Sequence, residues 1–303
     1  MRESQLLARI YDRSAAINAG AVEGVRVGPG DDCAVIEIGG ETIVMGVDQV
    51  VEGRHFEPGT PVDLIARKAV GRSVSDIAAM GAKPWLATAT GALPRWVRSG
   101  DALFEAMASW AENWGCPLIG GDISSSDELV LTVTTMGKMA PNVRPALRRG
   151  AVPGDGVYVT GRLGGSLASG RHLSVQPRTF EGQWLAAMLR DDLHAMIDVS
   201  DGLGLDAARL AEASGVRIEL DSSLVPAHFD STWRGALGDG EDYELLFVVD
   251  ADRARELGMR NVAPRLGTPI SRIGSVVAGQ GCVVRTPEGE ALDAATFGWE
   301  HTT

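Results

Sequence analysis

The feature that most constrains this chain is a set of short acidic segments spread over most of its length. They are GPGDD at 28–32, Asp48 at the end of the apolar run TIVMGVD, Ser75-Asp76, GGD at 120–122, DVSDG at 198–202 and GDGEDYELLF at 238–247. Two carboxylates about 4 Å apart repel by roughly 4 kcal/mol at an effective dielectric constant near 20, so acids that converge need cations between them. Magnesium held by carboxylates usually takes phosphate oxygens as further ligands. The sequence therefore predicts a fold that gathers these segments around magnesium and phosphate.

Composition narrows the class of protein. The 303 residues suffice for one large domain or two ordinary ones, and 45% of them are hydrophobic. No apolar run is long enough for a membrane span, and the charged N-terminal segment does not resemble a secretory signal. A net charge of −12 argues against nucleic acid as a partner. The three cysteines are far apart and lack CxxC spacing, so we expect reduced, buried thiols and a cytoplasmic location.

The sequence contains no P-loop that could bind the phosphates of a nucleotide. The pattern GxxxxGK[ST] does not occur, and the only lysines are Lys68, Lys83 and Lys138. A bound nucleotide would therefore be held by metal, arginine and backbone amides.

Periodicity predicts two α+β halves, with domains at 1–140 and 141–303. An amphipathic helix is expected at 4–18 and a β-hairpin at 33–38 and 42–48, which places Asp32 and Asp48 at the same end. Later strands are expected at 85–93, 117–122, 128–139, 157–161 and 195–202, and helices at 101–114 and 204–214. GGD lies at the end of the second of these strands, where a loop is expected to follow. The segment 140–156, rich in proline, glycine and arginine, is the expected junction.

A further helix is predicted from Thr60, as cap, to Met80, with Gly81 as its stop. Lys68, Arg72 and Asp76 recur on it every four residues. This polar stripe fits a solvated face with an Arg72–Asp76 salt bridge as well as it fits a functional site.

Each acidic motif alone also has an ordinary structural interpretation. GPGDD is a common type of turn, and Ser200 or Asp201 could simply cap a helix. His55 is more often a structural residue than a catalytic one in such a position, and Trp299 favours the core. The conjunction and the order of the motifs carry the functional interpretation.

Taken together, the motifs resemble the thiamine-monophosphate kinase family. The segments are GPGDDCAV, VDQVVEGRHF, KAVGRSVSDIAAMGAKP, LIGGD, RRGAVPGD, VYVTGRLGGS, IDVSDGL and GDGEDYELLF. The resemblance implies the two-domain α+β fold of the aminoimidazole ribonucleotide synthetase superfamily, with mixed α/β layers and an N-terminal domain that forms the sheet of a homodimer.

The resemblance also implies an activity and a set of site residues. The reaction would be ATP-dependent phosphorylation of thiamine monophosphate to thiamine diphosphate by direct in-line transfer, with no covalent nucleophile on the protein. Several Mg²⁺ ions would be held by Asp32, Asp48, Asp76, Asp122, Asp198 and Asp201. ATP would contact Gly121, Asp122, Arg148 and Ser200, and the thiamine phosphate would contact His55, Glu241 and Trp299.

Two of the departures from the family pattern lie close to the acidic motifs; two others are a shorter segment at 169–183 and weak agreement at the C-terminal residues around Trp299. Gly46 and Val47 precede Asp48 where Ser or Thr is usual, which leaves only a main-chain carbonyl as a metal ligand. Arg72 replaces a small polar residue and could pair with Asp76 or contact a phosphate. Two alternatives remain open: a related ATP-dependent ligase or synthetase acting on another small phosphate or amide, and an inactive ATP-binding homologue.

Overall fold

Two β-sheets, one from each half of the chain, organise the structure, a computed structural model that describes residues 3–97, 100–257 and 266–299. The helices are α1 (Glu3–Asn18), α2 (Val62–Ala79), α3 (Gly100–Asn113), α4 (Ser166–Ser169), α5 (Thr179–Leu189), α6 (Leu203–Ser214), α7 (Trp233–Gly238) and α8 (Ala251–Leu257). The strands are β1 (Val25–Val27), β2 (Ala34–Ile38), β3 (Glu41–Val51), β4 (Lys83–Leu93), β5 (Leu118–Ser125), β6 (Val130–Lys138), β7 (Gly156–Thr160), β8 (Leu193–Asp198), β9 (Arg217–Asp221), β10 (Leu245–Val249), β11 (Ile270–Val277), β12 (Gly281–Arg285) and β13 (Ala291–Asp293). Within the described ranges, no helix combines the length and hydropathy that a membrane span requires.

The N-terminal sheet has the strand order β1-β2-β3-β6-β4-β5. Neighbouring strands are antiparallel except for β4 and β5, which are parallel. The predicted hairpin is present: β2 and β3 pair from Ala34 with Met45 to Ile38 with Glu41, around a turn in which Gly39 and Gly40 both have positive φ. Helices α2 and α3 pack together, and their apolar residues share a buried cluster with those of the sheet.

The GGD segment, expected at the end of a strand, lies inside β5, which continues to Ser125. Gly121 pairs with Ala89 of β4 at a local irregularity. A Cβ added to Gly121 would lie 1.9 Å from the Ala89 carbonyl oxygen, so only glycine fits there. Among the described residues β5 has β4 as its sole strand neighbour, which makes it an edge strand.

The C-terminal sheet has the order β13-β12-β9-β11-β7-β10-β8 and is antiparallel except between β9 and β12. The fully buried run LLFVV of β10 lies between β7 and β8. Residues 139–155, which include most of the predicted junction, contain no helix or strand and lead from β6 to β7. The domain boundary at 140/141 stays a prediction.

Helix α2 connects the two halves because it packs on β3 and β6 of the first sheet and also on α5 and β8. Its predicted cap is wrong: Pro61 is the capping residue, and the Thr60 hydroxyl donates to the Glu57 carbonyl at 2.7 Å. Gly81, with φ of 70°, follows its C-terminal end as predicted. A buried helix between two sheets places its polar residues where both halves can reach them.

Candidate active site

Three aspartates from distant parts of the chain meet beside α2, the helix that packs on both halves. Asp32 precedes β2, Asp76 lies in the last turn of α2, and Asp198 ends β8. One carboxylate oxygen from each lies within 4.8 Å of the other two. Ser75 donates to Asp198 Oδ2 at 2.6 Å, which fixes the orientation of that carboxylate. The convergence predicted from the scattered motifs is therefore present for these three residues.

The surroundings of this cluster disfavour three negative charges. Burial raises the pKa of Asp76 well above its usual value, and the charges of Asp48 and Asp198 raise it further. Burial and the charge of Asp32 do the same to the pKa of Asp198. Asp32 Oδ2 is buried and has no hydrogen-bond partner within the described part of the chain. An all-oxygen donor set with an unsatisfied oxygen suits a hard divalent cation such as Mg²⁺.

Arg148 stands beside the cluster on the side of the GPGDD turn. Its guanidinium donates to Asp32 Oδ1 from Nη2 at 2.6 Å and from Nε at 3.1 Å. Its backbone N–H is 3.2 Å from both carboxylate oxygens of Asp31. Burial and the neighbouring Asp32 raise the pKa of Asp31 to about 7. Asp31 thus holds the loop that carries Arg148, a role that the motif alone did not indicate.

The DVSDG turn is held by a residue that the sequence analysis missed. The backbone N–H groups of Ser200 and Asp201 donate to Asp206 Oδ2 at 3.1 and 3.0 Å. Arg209 pairs with Asp201 at 2.5 Å and with Asp206 at 2.9 Å. The predicted capping by Ser200 or Asp201 is wrong, since Gly202 occupies the cap of α6 without a side-chain bond. An acid in the first turn of α6 was the available signal for Asp206.

A cavity of about 640 Å³ unites most of the predicted site. Its lining includes Asp32, Asp48, Asp76, Arg148, Asp198, Ser200 and Asp201 from the predicted set, together with Arg72 and Arg209. Gly46 also faces this region, since a Cβ there would lie 3.2 Å from Asp76 Oδ2, whereas the side chain of Val47 is 62% exposed. The cavity combines carboxylates, which can bind a divalent metal, with arginines, which can bind phosphate.

Gly121 and Asp122 do not join this cavity within one chain. They line a separate groove with Leu103 and Phe104 of α3. The register runs from Asp48 through Val133 and Ala89 to Gly121, which is three strand spacings. At about 4.8 Å per spacing, the backbone of Gly121 lies about 14 Å from that of Asp48.

The polar stripe of α2 is not a solvated face. Lys68 is fully buried, and its Nζ donates to the His55 carbonyl at 2.6 Å and forms an ion pair with Glu241. Burial lowers the pKa of Lys68 to about 8, although Glu241 opposes that shift. The expected Arg72–Asp76 salt bridge is wrong as well: Arg72 Nη2 lies 3.3 Å from Asp48 Oδ1, and Nη1 lies 3.6 Å from Glu241 Oε1.

Three residues were expected to contact the acceptor. His55 and Glu241 both contact Lys68, and Trp299 contacts the DVSDG turn. Glu241 has a φ of 57°, in the left-handed region that is unusual for a residue other than glycine, and its N–H donates to the Ser200 carbonyl. His55 Nδ1 accepts the Val51 N–H at 3.0 Å, which places the ring proton of a neutral imidazole on Nε2. Trp299 is 57% exposed, so its assignment to the core is wrong, and its N–H donates to the Asp201 carbonyl.

Both halves of the chain match models of known protein domains. Residues 30–139 match the model of the AIR synthase related protein N-terminal domain, and residues 170–286 match the model of its C-terminal domain. The two-domain mixed α/β fold expected from the sequence is thereby confirmed, while the dimer sheet stays a prediction.

Curated relatives narrow the class to a particular branch. A thiamine-monophosphate kinase from Rhodopirellula baltica is 37% identical, with 85% of each chain covered. The one from Escherichia coli strain K12 is 35% identical, and the match covers 99% of this chain and 98% of its own. A structure of AaThiL complexed with AMPPCP and TMP has a TM-score of 0.78 at 26% identity, covering 99% of this chain and 97% of that one. The chain belongs to the thiamine-monophosphate kinase branch of the AIR synthase related family.

Proposed function

We propose that the protein transfers the γ-phosphoryl group of ATP to thiamine monophosphate, giving thiamine diphosphate and ADP. The observation that carries this proposal is the convergence of Asp32, Asp76 and Asp198 in a cavity that also holds Arg148. The relatives named above are thiamine-monophosphate kinases, and the AaThiL structure was determined with AMPPCP and TMP. A cytoplasmic location is part of the proposal and agrees with three free, buried cysteines.

Several Mg²⁺ ions would be held by Asp32, Asp48, Asp76, Asp198 and Asp201, which all face the same cavity. Such ions neutralise phosphate charge and align the reacting oxygens. Arg148 and the backbone around Ser200 would hold ATP beside them. Positioning and charge neutralisation supply most of the catalysis in phosphoryl transfer, so the proposed mechanism is direct and in-line, without a phosphorylated enzyme.

The acceptor would lie towards Glu241, between His55 and Trp299. A second cavity of about 480 Å³ adjoins Glu241 and provides space there. The acceptor is a phosphate monoester whose second pKa is about 6, so its oxygen is largely ionised at neutral pH and needs no strong general base. The chain must instead reduce the repulsion between two anions, and the cations Lys68 and Arg72 flank the side where this acceptor would enter.

A homodimer is the second part of the proposal. Strand β5 has an unpaired edge among the described residues, and it exposes Ile119 and Ile123 by 64% and 73%. An exposed apolar edge strand is a template for pairing with another chain. Asp122 follows Gly121 on this strand, and the backbone of Gly121 lies about 14 Å from that of Asp48 in the same chain. We therefore propose that Asp122 serves the site of the partner.

Release of ADP, measured by a coupled assay, tests the proposal directly. We expect release with thiamine monophosphate and Mg²⁺, and none with thiamine or aminoimidazole precursors. Asp201→Asn should lower turnover by about 100-fold or more because it removes a proposed metal ligand. Asp191→Asn is the matched control, since that carboxylate is 91% exposed and its ion pair among the described residues is with Arg144 on the surface.

The remaining outcomes separate the alternatives. Release of ADP with another small phosphate or amide, but not with thiamine monophosphate, would favour a related synthetase. Calorimetric ATP binding without ADP release would favour an inactive homologue. Covalent labelling of the protein by γ-labelled ATP during turnover would contradict direct transfer.

A further inference from the structure

Arg72 occupies a position between the two ends of the proposed reaction centre. It lies in the middle of α2, its side chain is 16% exposed, and it lines the cavity that contains the aspartate cluster. One terminal nitrogen lies 3.3 Å from Asp48, on the metal side, and the other lies 3.6 Å from Glu241, on the acceptor side. The guanidinium therefore bridges two carboxylates with different proposed roles: Asp48 would bind metal, and Glu241 would contact the acceptor.

Neither of these carboxylates would depend on Arg72 once metal is bound. Glu241 already forms an ion pair with the buried Lys68, one helical turn earlier in α2, and its backbone is fixed to Ser200. Asp48 is a proposed ligand of Mg²⁺, which would neutralise it more strongly than a guanidinium at 3.3 Å. Once metal binds, Arg72 is the surplus cation of the centre.

The hydrogen bonds of Arg72 are also incomplete. A guanidinium has five N–H donors, yet within the described part of the chain the bond to Asp48 is the one that Arg72 makes. Within the described residues, its Nε is buried without a partner, and so is the hydroxyl of Tyr243. Buried donors without partners are costly, and such groups in a cavity favour a ligand that satisfies them. A phosphate, with several oxygens, matches the planar set of donors of arginine.

We infer that Arg72 is an exchangeable counter-ion, which neutralises Asp48 while the site lacks divalent metal and turns to the phosphate of the acceptor once metal occupies Asp48. The inference rests on the proposed function for its second half. It gives Arg72 a role that the resemblance to the family does not imply. Arg72 thus competes with metal before loading and assists the acceptor after it.

Metal binding to the nucleotide-free protein tests the first half without any turnover. Free Mn²⁺ is measured by electron paramagnetic resonance while the protein is titrated with MnCl₂. We expect Arg72→Met to bind the metal about tenfold more tightly than wild type, since a competing cation next to a carboxylate has been removed. In an Asp48→Asn background the same substitution should change the affinity by less than about twofold, as a double-mutant cycle requires.

Arg67→Met is the matched control. It makes the same substitution on the same helix, but Arg67 donates to the Val175 carbonyl and stacks on Trp110, away from the aspartates. Its metal affinity should equal that of wild type. Unchanged or weaker metal binding by a folded Arg72→Met protein would overturn the counter-ion role, because a residue that only supports the fold would weaken the site when removed.

Kinetics of the loaded enzyme test the second half. Arg72→Met should lower kcat/KM for thiamine monophosphate by about 100-fold while KM for ATP changes little. Arg72→Lys keeps the charge but loses the paired donors, so its Mn²⁺ affinity should stay within about twofold of wild type while kcat/KM still falls about tenfold or more. An equal loss for both substrates would overturn the role towards the acceptor. Failure of the wild-type enzyme to use thiamine monophosphate would instead remove the proposed function and leave the Mn²⁺ result standing.

Discussion

Magnesium binding should expel protons from the cluster of Asp32, Asp76 and Asp198. Their ligand oxygens lie within 4.8 Å of one another. At that distance each pair of charges repels by about 3.5 kcal/mol at an effective dielectric constant of 20, or about 10 kcal/mol for three pairs. This is comparable to the whole free energy of unfolding of a domain, about 5–15 kcal/mol. Arg148 pairs directly with Asp32 and offsets only part of this repulsion, so the metal-free cluster should keep at least one proton at pH 7.

The number of protons released can be measured by calorimetry. MgCl₂ is titrated into nucleotide-free protein at pH 7 in buffers of different ionisation enthalpy, and the slope of the observed enthalpy gives the protons released. We expect about one to two protons from a cluster of three repelling carboxylates. The pKa values of Asp76 and Asp198 are raised, so their protons are held up to a higher pH than usual and are lost as the pH rises through the raised values. Release should therefore diminish at alkaline pH.

Two variants make this experiment specific. Asp198→Asn removes one of the two carboxylates with a raised pKa, so it should reduce the number of protons released at pH 7 by about one. If wild type releases about one proton, the variant should release almost none. Asp191→Asn, on the surface, should release as many protons as wild type. If Mg²⁺ binds at pH 7 and releases no proton from the wild-type protein, the cluster is fully ionised without metal, and the electrostatic argument for the site is refuted.

Two further expectations concern buried carboxylates outside the cluster. Burial raises the pKa of Asp242 to about 7, so the folded protein binds this proton more tightly than the unfolded chain, and its contribution to stability is lost as the pH rises towards 7. In the wild-type protein the free energy of unfolding should therefore fall between pH 4 and pH 8, and Asp242→Asn should make this fall smaller by up to about 4 kcal/mol. Urea denaturation without Mg²⁺ measures it, and an unchanged pH profile would contradict the prediction. Arg178→Met should destabilise the protein by about 3–5 kcal/mol in the same assay, because it leaves Glu244, which is 4% exposed, without its cation; a loss below 1 kcal/mol would refute that reasoning.

Local sequence patterns predicted most elements of the fold because the relevant forces act over short distances. Two glycines between β-rich runs define the hairpin of β2 and β3, and Gly81 marks the end of α2. The same reasoning ended a strand too early at 120–122, where two glycines and an aspartate lie inside β5 rather than at its end. Their place in β5 depends on pairing with β4, whose Ala89 carbonyl allows no Cβ at Gly121. That constraint comes from a strand some thirty residues earlier, which local propensity does not register.

The candidate site was predictable in its residue types but not in its pairings. Order and spacing of the acidic motifs indicated that aspartates would converge, and Asp32, Asp76 and Asp198 do so. The period of four between Lys68 and Arg72 equally fits a solvated helix face, and the partner that decides the matter, Glu241, lies 173 residues beyond Lys68. Ion pairs between distant segments follow from the packing of the two halves, so no local pattern contains them.

Subunit complementation decides whether Asp122 acts in its own chain or in its partner's. Asp122→Asn and Asp198→Asn should each lower activity, since each removes a proposed metal ligand. If Asp122 serves the partner's site, a mixed dimer carries both defects in one site and none in the other, so mixing and reassociating the two inactive variants should restore activity, up to about a quarter of wild type when half of the dimers are mixed. If Asp122 serves its own chain, every site in the mixed dimer keeps one defect and no activity returns. The separation of about 14 Å between the backbones of Gly121 and Asp48, with β5 at the edge of its sheet, leads us to expect recovery. A reassociated mixture that forms mixed dimers and stays inactive would contradict the assignment to the partner.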